Sequence, residues 1–182
     1  MRYSNGAIVL HWVIALLIGL NFVGAWESED LHGAEKAYAM AGHKAFGITI
    51  LVLTLLRIVW RIGHTPPPLS PHLKTWEAAL AKATHSLFYL LMLGVPLAGW
   101  AMHSLASGGQ SLTWFQQFDI PGLPFAQNKS AAGIMHAVHE ALANVMLALI
   151  GLHVAGALKH QIIDRDGELR RMWFGRGQTQ RD

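Results

Sequence analysis

Four apolar stretches, each about twenty residues long or longer, dominate the chain at approximately 7–26, 41–60, 84–102 and 131–158. About 20 apolar residues at a helical rise of about 1.5 Å each cross a hydrocarbon core of roughly 30 Å. Lipid offers no water to satisfy backbone polar groups, so an apolar stretch of this length is stable there as a helix. The pattern predicts an all-α integral membrane four-helix bundle. Composition agrees, since 52% of the 182 residues are apolar and only 14% are charged, against about 25% charged in a soluble domain. Trp12, Trp26, Trp60 and Trp100 fall near the expected span ends, where indole prefers the membrane interface. The first run exceeds a usual signal-peptide core and carries His11 and Asn21, so it is read as a retained span.

Charge sets the expected orientation. Eleven basic residues fall on one side: Arg2; Arg57, Arg61, Lys74 and Lys82 around the middle loop; and Lys159, Arg165, Arg170, Arg171, Arg176 and Arg181 after the last span. Lys36, Lys44 and Lys129 belong to the other. Positive residues are retained in the cytoplasm, so both termini are expected there. No basic stripe interleaved with aromatics suggests a nucleic-acid partner. The absence of cysteine excludes disulfides, iron–sulfur ligation and covalent haem attachment.

The connections differ in kind. "ESEDLHGAEK" is short and acidic, and "GHTPPPLSPHLK" is Pro-rich and expected to be extended and stiff. The longest connection, about 103–129, contains "SLTWFQQFDIPGLPF". Its aromatics either lie along the outer membrane surface or belong to an irregular linker.

Eleven histidines remain to be explained. His139 and His153 are fourteen residues apart, hence about 21 Å apart along the fourth span and about 40° apart around it. One helix face therefore carries an imidazole near each membrane surface. His11, early in the first span, shares the inner level with His153; His43, early in the second, shares the outer level with His139. Polar residues inside spans usually face the bundle interior and mark function. Two imidazoles meeting across a bundle suit a six-coordinate haem b, whose porphyrin leaves two axial positions to the protein. One turn after His11, His43, His139 and His153 stand the small residues Ala15, Gly47, Ala143 and Ala157, which leave room for a flat ring.

Competing positions look different. His136 lies about 100° from His153 around the helix. His85 and His103 bound the third span and are read as interface residues, and His32, His64 and His72 as loop residues. Met92 and Met146 are read as packing residues rather than ligands. A haem-free metal pathway would need ligands clustered at midplane, whereas these histidines stand near the span ends.

"LHW" at 10–12, "GHKAFGITILVLTLLRIVWR" at 42–61, "LGVPLAGW" at 93–100 and "VHEALANVMLALIGLHVAGALKH" at 138–160 resemble the bacterial cytochrome b561 family of small di-haem membrane cytochromes. The resemblance extends from about Ser4 to Met172. It implies a single transmembrane cytochrome b domain of the bacterial inner membrane, holding two haem b groups and exchanging electrons with ubiquinone. The implied axial ligands are His11 with His153 for the cytoplasmic haem and His43 with His139 for the periplasmic haem.

Three more residues acquire expected roles. Arg57 is fourteen residues after His43, at the inner haem's level, where a guanidinium can pair with propionates. His160 lies two turns beyond His153, where a quinone headgroup could take a hydrogen bond and a proton. The family includes superoxide oxidation coupled to quinone reduction, and Lys44, adjoining His43, is the candidate for steering an anion. Against this, Glu27, Glu29, Asp30, Glu35, Asp119 and Glu140 outnumber the three outer lysines and give that side a formal charge of −3. A non-catalytic anchor relaying electrons from a separate periplasmic partner is the alternative, since an acidic face suits a basic protein.

Overall fold

A computed structural model of the chain describes residues 2–68 and 74–173. His72, Arg176, Arg181 and part of the Pro-rich connection lie outside them. The order of elements is α1 Asn5–Glu27, α2 Gly33–Gly63, α3 Thr75–Ser107, a hairpin of β1 Leu112–Trp114 and β2 Phe118–Ile120, and α4 Lys129–Lys159. A π-helical turn at His160–Asp164 and a 3-10 turn at Glu168–Met172 follow. All four long helices are apolar enough to cross a membrane.

Every helix runs past the apolar stretch that marks it. The largest extensions are at the starts of α2 and α3, which begin at Gly33 and Thr75 rather than near 41 and 84. Hydropathy marks the part immersed in hydrocarbon, while helical hydrogen bonding continues into the polar interface through residues such as Glu35, Lys36 and Glu77.

The ends are capped by local chemistry. Ser4 accepts from the Ala7 amide at 3.4 Å to start α1, and Asn128 accepts from the Ala131 amide at 3.0 Å to start α4. Lys74's amide donates to Glu77 Oε2 at 3.0 Å at the start of α3. Gly108 ends α3 in the left-handed conformation, at φ 71°, which only glycine adopts without cost.

Helix packing is uneven. Close backbone packing joins α3 to α4, α1 to α2, and α2 to α3, whereas α4 makes little with α1 or α2. The apolar core comprises Ile14 and Ile18 of α1, Ile50 of α2, Leu91 and Met92 of α3, and Met146 of α4. Met92 and Met146 are thus packing residues, and α1 is an integral member of the bundle. Leu16, Leu55, Leu56, Val59 and Leu90 point outward, as expected where lipid replaces water.

The long connection is neither a linker nor a free surface segment. Its antiparallel hairpin pairs Leu112 with Ile120 and Trp114 with Phe118. Trp114 Nε1 donates to Thr49 Oγ1 of α2 at 3.0 Å, and Phe115 packs edge-on against Phe46. Ser104 anchors its return: the fully buried Oγ donates to the Trp100 carbonyl at 2.8 Å and accepts from the Leu123 amide at 2.9 Å. At the opposite end, the segment after α4 folds back over α1. Trp12 Nε1 donates to the Met172 carbonyl at 2.8 Å, and Trp12 meets Trp173 edge-on.

Ser104→Ala would deprive the Leu123 amide of its acceptor, which costs about 1 kcal/mol or somewhat more. The expected result is a melting midpoint in detergent lower by about 2–4 °C, with faster proteolysis between 108 and 127.

Candidate functional site

Two layers of imidazoles sit on either side of the apolar core. In the inner layer, the ring centroids of His11 on α1 and His153 on α4 are 6.3 Å apart. In the outer layer, His43 on α2 and His139 on α4 are 6.0 Å apart. Both pairs meet at steep angles, 71° and 80° between ring planes. Two imidazoles bonded to one iron from opposite sides, each at about 2 Å, would place their centroids roughly 6 Å apart. The observed spacing fits that requirement, and it spans the interval across which α4 stands off from α1 and α2. Of α4, only Ala132 and Met146 are fully buried by protein.

The outer pair is held by α3. His139 Nδ1 lies 2.8 Å from the Val95 carbonyl, which can only accept, so Nδ1 carries the proton and Nε2 keeps its lone pair for a metal. A Cβ placed on Gly99 would come within 3.1 Å of the His139 ring, so glycine at this position makes the seat. Asn21 Oδ1, Trp100 Nε1 and Ser107 Oγ are buried and have no hydrogen-bond partner among the described residues. All three stand in the outer half of the bundle, a polar setting unlike the apolar midplane. Lys44 Nζ lies 3.3 Å from His103 Nδ1. His103 is therefore a partner of Lys44 as well as a residue at the span end.

The inner pair has more neighbours. Arg57 Nη1 lies 3.3 Å from His11 Nδ1, and its Nε donates to the Tyr89 hydroxyl at 3.3 Å. The guanidiniums of Arg57 and Arg61 both stand over the Tyr89 ring, at 5.9 and 5.7 Å. Phe88 packs edge-on against His153. His85 differs from its expected place as an interface residue: its ring lies 5.8 Å from that of His153. Its position at the start of the third span does not show this contact. Depth supplied the missing signal, since His85 enters α3 at the same level as His11. His136 is exposed and makes no ring contact with the outer pair. His64 stacks on Trp60 at 4.1 Å outside both layers.

His160 stands at the C-terminal end of α4, and its imidazole is engaged locally. Its Nδ1 is 2.6 Å from Asp166 Oδ2 and 3.1 Å from Asp164 Oδ2. Asp164 stands at the i,i+4 spacing of a helix, whereas Asp166 comes back to His160 only through the change of winding and the reversal that follow α4.

A lipid-spanning four-helix bundle with facing imidazoles near each end has the architecture of a b-type membrane cytochrome. The chain belongs to the prokaryotic cytochrome b561 family, whose profile matches residues 2–175. It is 33% identical over 177 residues to a probable superoxide oxidase CybB of Yersinia pestis, covering 94% of this chain and 95% of the relative. It is 29% identical to cytochrome b561 homolog 2 of Escherichia coli K12, covering 94% and 90%, and 31% identical to cytochrome b562 of Cereibacter sphaeroides, covering 93% and 94%. It is accordingly a multi-pass protein of the bacterial inner membrane, of a family that binds haem b and carries electrons.

Gly99→Val would push the His139 ring off its seat. Loss of haem from one site, or a high-spin signal confined to one haem in the reduced spectrum, is the expected outcome, with the helical circular dichroism unchanged.

Proposed function

We propose that the chain passes electrons across the membrane between a periplasmic reactant and ubiquinone by way of two haem b groups. The observation that carries this reading is the spacing of roughly 6 Å in two imidazole pairs, one on each side of an apolar midplane. His11 with His153 would hold the cytoplasmic haem and His43 with His139 the periplasmic one. Haem b, when bound, would supply a one-electron couple.

The protein's own groups would tune and orient these sites. Arg57 can only donate, so His11 Nδ1 accepts in the present pairing. An imidazole that gives Nε2 to a metal carries its proton on Nδ1 and can no longer accept from Arg57. Arg57 would then be free to pair with propionate carboxylates of a bound haem. His160, two turns beyond His153, would contact the quinone headgroup on the cytoplasmic side.

Superoxide is the proposed outer reactant. A relative carries the name probable superoxide oxidase, and Lys44 places a cation beside His43. The reaction balances as two superoxide anions giving two electrons, with one ubiquinone taking both and two protons to form ubiquinol and two molecules of oxygen. The formal −3 of the expected outer side favours a second reading, in which a basic periplasmic redox protein docks there and this chain acts as its membrane relay.

Purified protein should contain about two haem b per chain by pyridine haemochrome, both low-spin, and no haem after expression with adequate supply would sink the reading. His43→Ala and His11→Ala should each remove one haem and spare the other. Arg57→Leu should weaken haem retention at the inner site alone; unchanged stoichiometry would count against the propionate role. His160→Ala should slow quinone-linked haem turnover while retaining haem, and Lys44→Ala should raise the superoxide concentration needed for half-maximal rate.

A further inference from the structure

The end of α4 is built to return a carboxylate to His160. The last helical turn widens into the π-helical winding of His160–Asp164. Arg165 and Gly167 then reverse the chain at φ 53° and 77°, left-handed conformations that cost a non-glycine residue free energy. The reversal brings Asp166 back beneath the helix end. Its amide lies 3.4 Å from the His160 carbonyl, one carboxylate oxygen accepts from the Glu168 amide at 3.1 Å, and the other lies 2.6 Å from His160 Nδ1. The side chains are largely covered, with 20% of His160 and 12% of Asp166 exposed.

The remaining charges facing this pair are accounted for. Asp164 approaches His160 Nδ1 at 3.1 Å and Lys159 Nζ at 2.6 Å. Lys159 also reaches Glu77 of α3 at 2.9 Å. Glu168 is paired with Arg171. The ammonium group of Lys159 supplies a cation to Asp164, and the group that Asp166 faces is the His160 imidazole.

We infer that Asp166 is a positioning residue for proton exchange with quinone: it holds the proton on His160 Nδ1, so that Nε2 is the atom offered to the quinone oxygen. This rests on the reading that quinone reaches His160. Reduction of a quinone to a quinol takes two electrons, delivered through haem b, and two protons. One of these leaves His160 Nε2 as the imidazolium becomes neutral. The Nδ1 proton stays in its bond to Asp166, and Nε2 takes its replacement from cytoplasmic water; quinol oxidation runs the same exchange backwards. A fixed carboxylate stabilises the imidazolium and selects the tautomer without itself being protonated.

The test measures quinone-linked haem turnover of the haem-loaded protein from about pH 6 to 9, with haem per chain counted for every variant. A carboxylate in contact with an imidazole favours its charged form. Asp166→Asn should therefore match wild type near the acid end and fall about tenfold at the alkaline end, and Asp166→Glu should restore much of the alkaline activity. A pH profile of Asp166→Asn identical to wild type, with His160→Ala still impaired, would overturn the positioning role and leave the quinone reading intact. Unimpaired turnover in His160→Ala would remove the quinone reading and the relay with it. Loss of haem from Asp166→Asn would make Asp166 a folding residue and likewise overturn the inference.

Discussion

The packing of α4 on α3 is the contact from which the functional geometry follows. α4 contributes one imidazole to each layer, yet it makes little close contact with the helices that carry the other two. Its position is set from the far side. Leu142 lies against Gly94, His139 sits over Gly99 and bonds the Val95 carbonyl, and Phe88 packs on His153. Small residues on α3 let α4 approach it closely, while the opposite face of α4 is left to meet α1 and α2 through imidazoles about 6 Å apart. The apolar core around Met92 and Met146 fills the level between the layers, so the polar groups are sorted by depth rather than mixed.

Much of this was legible in the sequence because a membrane simplifies the physics. Span length follows from bilayer thickness, and a polar residue inside a span must face protein or a cofactor. The fourteen-residue interval from His139 to His153 is close to a whole number of turns, so depth and face could be read without coordinates. Two kinds of information were not available in that way. His85 reads as an interface residue because it begins the third span, yet its ring reaches His153, while Tyr89 one turn later places a hydroxyl against Arg57. Asp164 follows His160 by four residues, a spacing a helix brings together, whereas the approach of Asp166 depends on a π-helical turn and a left-handed Arg165, which no helical periodicity encodes. The hairpin at 112–120 escaped as well, since its three-residue strands are too short to show alternation and are fixed by docking on Thr49 and Phe46.

The two ends of the bundle solve different problems. At the outer end, the docked hairpin and the Lys44–His103 contact hold a defined surface beside His43. At the other, the chain after α4 straps across α1 through Trp12 and Met172, and charged side chains crowd the exit of the helix. The proposed anion on one side and proton exchange on the other would each call for such different surroundings. Arg57 and Arg61 on Tyr89 place two guanidiniums at the inner level.

Each imidazole pair takes one member from α4, the last of the four spans to be synthesised. A nascent chain that has inserted α1, α2 and α3 already contains His11, His43 and His85, but neither facing pair exists until residues 139 and 153 have emerged and docked on α3. If the paired histidines hold haem as proposed, biogenesis is thereby ordered: a half-made chain could not capture it between them, and cofactor loading would report that the whole bundle has assembled in the membrane.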